Sequence, residues 1–244
     1  LPDSRTPTHG ESPAAFDLDA LAGFDRGDHS AAARHELIFI DAGIADYAQL
    51  RADIEQRRDG VQRTIVVIDR ESDGLQQIDA VLARSRDIDA VHVFAHGSRH
   101  GLQLGSTWLN TASLADNADL VAGWQQAFAV QGDLLLYGCD LAASESGRAL
   151  VQSLARLTGA DVVASDDLTG SAPQGGDWTL EFATGNIDAG IAVDVVVPTQ
   201  WRGVLGQITV TTSNDVLDGD ANTSSLAALA ASPGADGFVS LREA

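Results

Sequence analysis

The chain has 244 residues, of which 44% are hydrophobic, enough to bury one substantial core. Its 35 acidic residues (28 Asp and 7 Glu) face 15 basic ones, every one of them Arg, and the net charge of −20 excludes nucleic acid and anionic membrane surfaces as partners. No apolar run approaches the roughly 20 residues needed to span a bilayer, so no membrane insertion is expected in this fragment.

In chain order, residues 1–34 are rich in Pro, Gly, Ser, Asp and His with little periodicity, and read as a flexible leader. Leu18, Leu21 and Phe24 offer at most one helical turn within it. Glu36 to Asp41 is a short apolar run of the kind a buried parallel strand uses. Asp46 to Arg58 carries Tyr47, Leu50 and Ile54 at helical spacing, with Asp46 as its expected N-cap. A second strand follows at Thr64–Asp69, and a second helix around Leu75, Ile78, Val81 and Leu82. Ala90–Ala95 is a third strand, ending at His96-Gly97.

Leu102–Leu104 and Thr107–Leu109 can pair as a small hairpin, and Leu114 to Phe128 reads as a helix. Asp133–Tyr137 is a fourth strand, ending at Gly138-Cys139. Ser144 opens a helix with Leu150, Leu154 and Leu157 on one face, closed by Gly159. Asp161–Ser165 is a fifth strand; Trp178–Phe182 and Ile191–Val197 read as an antiparallel addition. This alternation predicts an α/β fold with a mostly parallel central sheet and helices on both faces, a three-layer α/β/α sandwich.

Ligands and reacting groups of such sheets sit beyond the carboxyl ends of the strands. His96, Cys139, Asp41, Asp69 and Asp166 all fall at that edge. The single cysteine forms no intrachain disulfide, and a lone Cys is most simply a small buried hydrophobe. A Cys at a strand end before a helix N-terminus has a second use, as a thiol whose pKa the helix lowers. Gly97 and Gly138 leave room for a sharp exit and for a substrate backbone. His92 belongs to the core side of its strand, and Trp108, Trp124 and Trp178 to core or rim packing.

Val91-His92-Val93-Phe94-Ala95-His96-Gly97 resembles the strand-then-His-Gly motif of the caspase-like cysteine peptidase superfamily, and Leu134-Leu135-Leu136-Tyr137-Gly138-Cys139 resembles its second motif. The order His then Cys, 43 residues apart, also fits. Asp133 to Gly147, Thr158 to Ser165 and Gly176 to Glu181 are similar to the bacterial family called domain of unknown function 4347, over roughly residues 36 to 205. That family occupies the N-terminal part of large secreted or surface proteins with calcium-binding or adhesin-like repeats. The resemblance implies a cysteine endopeptidase with Cys139 as nucleophile, His96 as general base and acid, and the amides of Gly97 and Cys139 as oxyanion donors. It implies a polypeptide substrate, an extracellular or cell-surface location and no required cofactor, with calcium left open. The alternative is a catalytically silent module serving secretion, anchoring or binding.

Asp166 and Asp167 lie just past the fifth strand, where they can bind a basic substrate side chain or form a solvated turn. Residues 206–244 read as the start of a β-rich, β-helix-like repeat region. Asp218, Asp220 and Asn222 begin like an EF-hand, but Thr223 and Leu229 stand where Gly and Glu are needed, so no metal site is assigned. The junction holds Arg202-Gly203, a basic-then-small bond and a candidate for self-cleavage.

Overall fold

The computed structural model describes residues 34–194 and 200–206. The expectations for residues 1–33 and for 207–244, including the β-helix-like start and the Asp218 region, lie outside the described residues. Six strands form the central sheet in the order β2-β1-β3-β7-β8-β9. They are β1 (His35–Asp41), β2 (Gln62–Ile68), β3 (Ile88–Phe94), β7 (Phe128–Tyr137), β8 (Asp161–Ala164) and β9 (Phe182–Ala183). All pairings are parallel except that of β8 with β9. A second, antiparallel sheet of three strands, β4 (His96–Ser98), β5 (Gly101–Leu104) and β6 (Thr107–Leu109), includes the expected hairpin.

The helices between the strands are α1 (Tyr47–Glu55), α2 (Gly74–Leu82), α3 (Thr111–Asp116), α4 (Ala118–Gly123) and α5 (Glu145–Thr158). Side chains alternate across each strand, so the sheet needs a cover on both faces. Ile38, Ile40, Ala90, Phe94, Leu135, Tyr137 and Val163 share one buried cluster with Leu50 and Ile54 of α1 and with Trp178 and Trp201. The opposite set, including Leu37, Phe39, Val91, Val93, Leu134, Leu136 and Val162, is equally buried, with α2 packed on β2 and α5 on β8. The result is the three-layer α/β sandwich with a mostly parallel sheet.

Local chemistry explains where boundaries depart from the periodic reading. Asp46 precedes α1 in the left-handed region (φ 53°), so its side chain makes no cap hydrogen bond; the cap is formed instead at Asp73, which accepts from the amides of Leu75 and Gln76 at α2. The long helix expected from Leu114 to Phe128 is divided at Asn117 (φ −114°, ψ 21°) and finishes in a 3-10 turn at Trp124–Ala127. Among the described residues of the expected antiparallel addition, Phe182–Ala183 pairs with the sheet, while 178–181 and 191–194 are irregular; 195–197 lie outside the described residues. Gly159 closes α5 in the left-handed conformation (φ 70°), as its position after the last apolar residue predicts.

His92 is fully buried, and its partners fix its tautomer. The Tyr137 hydroxyl accepts from the Ala192 amide at 3.1 Å and lies 3.2 Å from His92 Nδ1. His92 Nε2 faces the Glu36 carboxylate, which can only accept, at 3.4 Å, so the proton belongs on Nε2 and Nδ1 is left to accept from the Tyr137 hydroxyl. Burial would raise the Glu36 pKa, but His92, Arg63 and Arg34 outweigh it and hold the carboxyl below its usual range. Burial lowers the His92 pKa against the pull of Glu36, keeping the ring neutral. Tyr137 also stacks on Phe94, 4.1 Å between ring centroids. Tyr137→Phe leaves the stack but strands a buried amide and a ring nitrogen, and a loss of about 1–3 kcal/mol is expected in urea unfolding; an unchanged midpoint would mean that the hydroxyl bonds carry no net stability.

Candidate active site

β3 and β7 are neighbours whose last paired residues are Phe94 and Tyr137, and the Ala95 amide continues the ladder to the Tyr137 carbonyl at 3.1 Å. The two strands therefore deliver His96 and Cys139 to one stretch of the carboxyl edge. Their backbones touch there: a Cβ on Gly97 would overlap the Gly138 carbonyl carbon and lie 2.7 Å from the Cys139 nitrogen. A Cβ on Gly138 would collide with a Leu102 methyl. Gly97 tolerates no side chain, because the backbone leaving β7 occupies that space, whereas at Gly138 the Leu102 side chain would have to move. After Cys139 the chain turns through Asp140 in the left-handed region (φ 57°), a conformation that costs on the order of 1 kcal/mol. The Asp140 amide is held by the Asp167 carbonyl at 2.7 Å.

His96 is half-buried, and its Nδ1 is buried without a hydrogen-bond partner among the described residues. Asp41, at the end of β1, is a further group at this edge. It is 2% exposed, and its carboxylate accepts from the Gly43 amide at 2.6 Å and the Gly105 amide at 2.5 Å. Burial raises its pKa, while those two amides and the charge of His96 oppose the rise. The position of Asp41 is legible in the sequence; its coupling to His96 is not, because it depends on the order of β1 and β3 in the sheet.

Cys139 is fully buried. Its Sγ accepts from the Thr169 amide at 3.2 Å and lies 3.5 Å from the Thr169 carbonyl. Burial pushes the thiol up to about 12, with the Thr169 amide opposing and the Asp140 charge adding to the rise. This corrects the expectation of a thiol activated by a helix N-terminus. α5 begins only at Glu145, its Ser144 cap accepts from Gly147 at 3.0 Å, and desolvation at Cys139 dominates.

The cover over Cys139 is residues 201–206 of the same chain, a strap that composition and periodicity do not reveal. Trp201 anchors it, donating from its backbone to Asp53 and from its indole to the Ala45 carbonyl, both at 2.8 Å. The Ser171 amide donates to the Gly203 carbonyl at 2.9 Å, and the Leu205 amide to the Thr169 carbonyl at 2.9 Å. The Gly97 amide donates to the Leu205 carbonyl at 2.8 Å. A Cβ on Gly206 would lie 3.4 Å from Cys139 Sγ. The amide expected to serve an oxyanion thus holds a carbonyl of this strap.

Asp166 pairs with Arg148 at 3.8 Å, and its amide donates to Glu181 at 2.9 Å. Asp167 is exposed and stands with Asp177 and Glu181 in a group whose oxygens all lie within 4.8 Å, which could hold a cation. Burial, then Glu181 and Asp177, raise the Asp167 pKa. Arg202 is exposed, whereas Gly203 is pressed against the Trp201 ring. A cavity of about 900 Å³ bounded by Trp178, Leu180, Ile187 and Arg202 does not include His96 or Cys139. Its size does not make it the reactive site, since the only thiol is elsewhere.

Fold and site define an α/β sandwich domain with a histidine and a cysteine at adjacent strand ends. The family model described as Domain of unknown function (DUF4347) matches residues 37–205, and the chain belongs to that family. Comparison with curated proteins and with solved structures finds no match.

At pH 8 a thiol at about 12 is ionised in roughly one molecule in ten thousand. Alkylation of Cys139 by iodoacetamide in the intact folded chain is therefore expected to rise about tenfold for each pH unit from 7 to 10. A plateau below pH 9 would contradict the burial of the sulfur.

Proposed function

We propose that this domain is a cysteine endopeptidase of the caspase-like kind, which processes its own chain or a neighbouring part of a large secreted or surface bacterial protein. Cys139 is the nucleophile, and His96 takes its proton and returns it to the leaving amine. The Gly97 amide, with that of Cys139, stabilises the charge that develops on the substrate carbonyl. The observation that carries the reading is the backbone contact of Gly97 with Gly138 and Cys139, which brings a histidine, a thiol and an amide donor to one short edge. Water is the co-substrate and no cofactor is invoked. Calcium belongs to this reading only as a candidate occupant of the exposed acidic group.

The burial of Cys139 favours a second reading, a silent module that serves secretion, anchoring or binding. The two separate in a fragment map. After incubation of the purified chain, mass spectrometry is expected to find fragments in wild type and none in Cys139→Ala or His96→Ala, a loss of at least about a hundredfold in rate. Fragments of equal yield in all three proteins would remove the peptidase reading.

A further inference from the structure

The strap lies against the thiol as a substrate would, and its register singles out one bond. We propose that Cys139 cuts its own chain between Leu205 and Gly206; the proposal rests on the peptidase reading above and names its bond. Three contacts converge on this peptide unit. The Leu205 carbonyl accepts from the Gly97 amide at 2.8 Å, which polarises it toward attack. The Leu205 amide is fixed by the Thr169 carbonyl at 2.9 Å, and the Thr169 amide also contacts Sγ, at 3.2 Å. The space where a Cβ of Gly206 would stand is 3.4 Å from Sγ.

The strap is held by backbone pairing on both sides, parallel between Gly97 and Gly206 and antiparallel between Gly170 and Val204. Such pairing fixes register without reading side chains, and pockets supply the selectivity. Leu205 is fully buried, in the same cluster as Ile44, Phe94, Tyr137 and Cys139. The preferred substrate is therefore an extended polypeptide with an apolar residue on the acyl side of the bond and glycine or another small residue on the amine side. Arg202–Gly203 is placed differently: the Gly203 carbonyl accepts from Ser171, and a Cβ there would strike the Trp201 ring.

In the reaction the Cys139 thiol gives its proton to the His96 imidazole as Sγ attacks the Leu205 carbonyl carbon. The oxyanion takes the place of the carbonyl oxygen at the Gly97 amide. The carbon–nitrogen bond then breaks, and the imidazolium protonates the Gly206 nitrogen, which leaves as an amine. Departure of the segment that begins at Gly206 uncovers the Leu205 thioester. Water hydrolyses it with His96 as base, leaving a Leu205 carboxylate and a free thiol. Because the family match ends at Leu205, this cut separates the family domain from the remainder of the chain.

The test uses the full chain as wild type, Cys139→Ala, Arg202→Ala and Leu205→Ala, with intact mass and N-terminal sequencing of the products. A new N-terminus at Gly206 is expected in wild type and absent in Cys139→Ala. Arg202→Ala is expected within about twofold of wild type, and Leu205→Ala slower by at least about tenfold, with circular dichroism checking its fold. A Cys139-dependent cut at Arg202–Gly203, or at any other bond, overturns this assignment and leaves the peptidase reading standing. An intact wild-type chain overturns it too; thiol labelling that depends on His96 then keeps the peptidase reading, and labelling indifferent to His96→Ala ends both.

Discussion

The whole site depends on one steric constraint, the contact between the chain leaving β3 and the chain leaving β7. Parallel neighbours run about 4.8 Å apart, and side chains normally keep their exits separated. Here Gly97 and Gly138 have no Cβ, and the two backbones close to a distance at which a methyl on Gly97 would overlap the Gly138 carbonyl carbon. That closure sets His96 and Cys139 at one place on the carboxyl edge. It also turns the Gly97 amide toward the peptide lying over the sulfur, whose Leu205 carbonyl accepts from it. Packing of the sheet supplies the rigidity on which this placement relies. Phe94 and Tyr137, the last paired residues of the two strands, are stacked with only 2° between their ring planes.

Polar burial under the same strands ties the far side of the sheet to the site. Tyr137 bonds to the Ala192 amide and to His92, and His92 faces Glu36 of β1. Each of these groups would be costly to bury alone, and together they specify the pairing of β1, β3 and β7. The residues that carry this network also lead directly into Asp41, His96 and Cys139, so the identity of the buried core and the geometry of the edge are one problem.

Much of this is legible in the chain because parallel strands advertise themselves. Leu37 to Ile40, Leu134 to Tyr137 and, apart from His92, Val91 to Phe94 are apolar on both faces, and a residue that ends such a run must emerge at the sheet edge. His96 and Cys139 can be picked on that ground, and the two motifs couple them. Long-range backbone pairing leaves no trace. Residues 201–206 contain no periodic signal, and their attachment to Gly97, Thr169 and Ser171 uses main-chain atoms that every residue possesses. Trp201 and Leu205 are the only signs, as large apolar residues in a segment with no periodic partner for them. The ionisation of Cys139 escapes the sequence for the same reason. A helix terminus is a local feature and can be read from neighbouring residues, whereas the desolvation that outweighs it comes from a distant segment.

That desolvation decides which chemistry is open to the thiol. Forming the free thiolate of a group at about 12 costs roughly 7 kcal/mol at pH 7, a heavy burden on any mechanism that ionises first and attacks afterwards. A reacting carbonyl already held in place changes the balance. Fixed orientation can supply about 7–11 kcal/mol relative to encounter from solution, and in the proposed reaction the proton passes to His96 during attack, so that no isolated thiolate forms. A covered, protonated sulfur is therefore poorly suited to molecules arriving from solvent and well suited to the one peptide unit that covers it. Departure of that segment in the proposed cleavage would remove the desolvation that holds the thiol pKa up. The burial that argues against a general-purpose peptidase thus argues for one whose first substrate is its own strap.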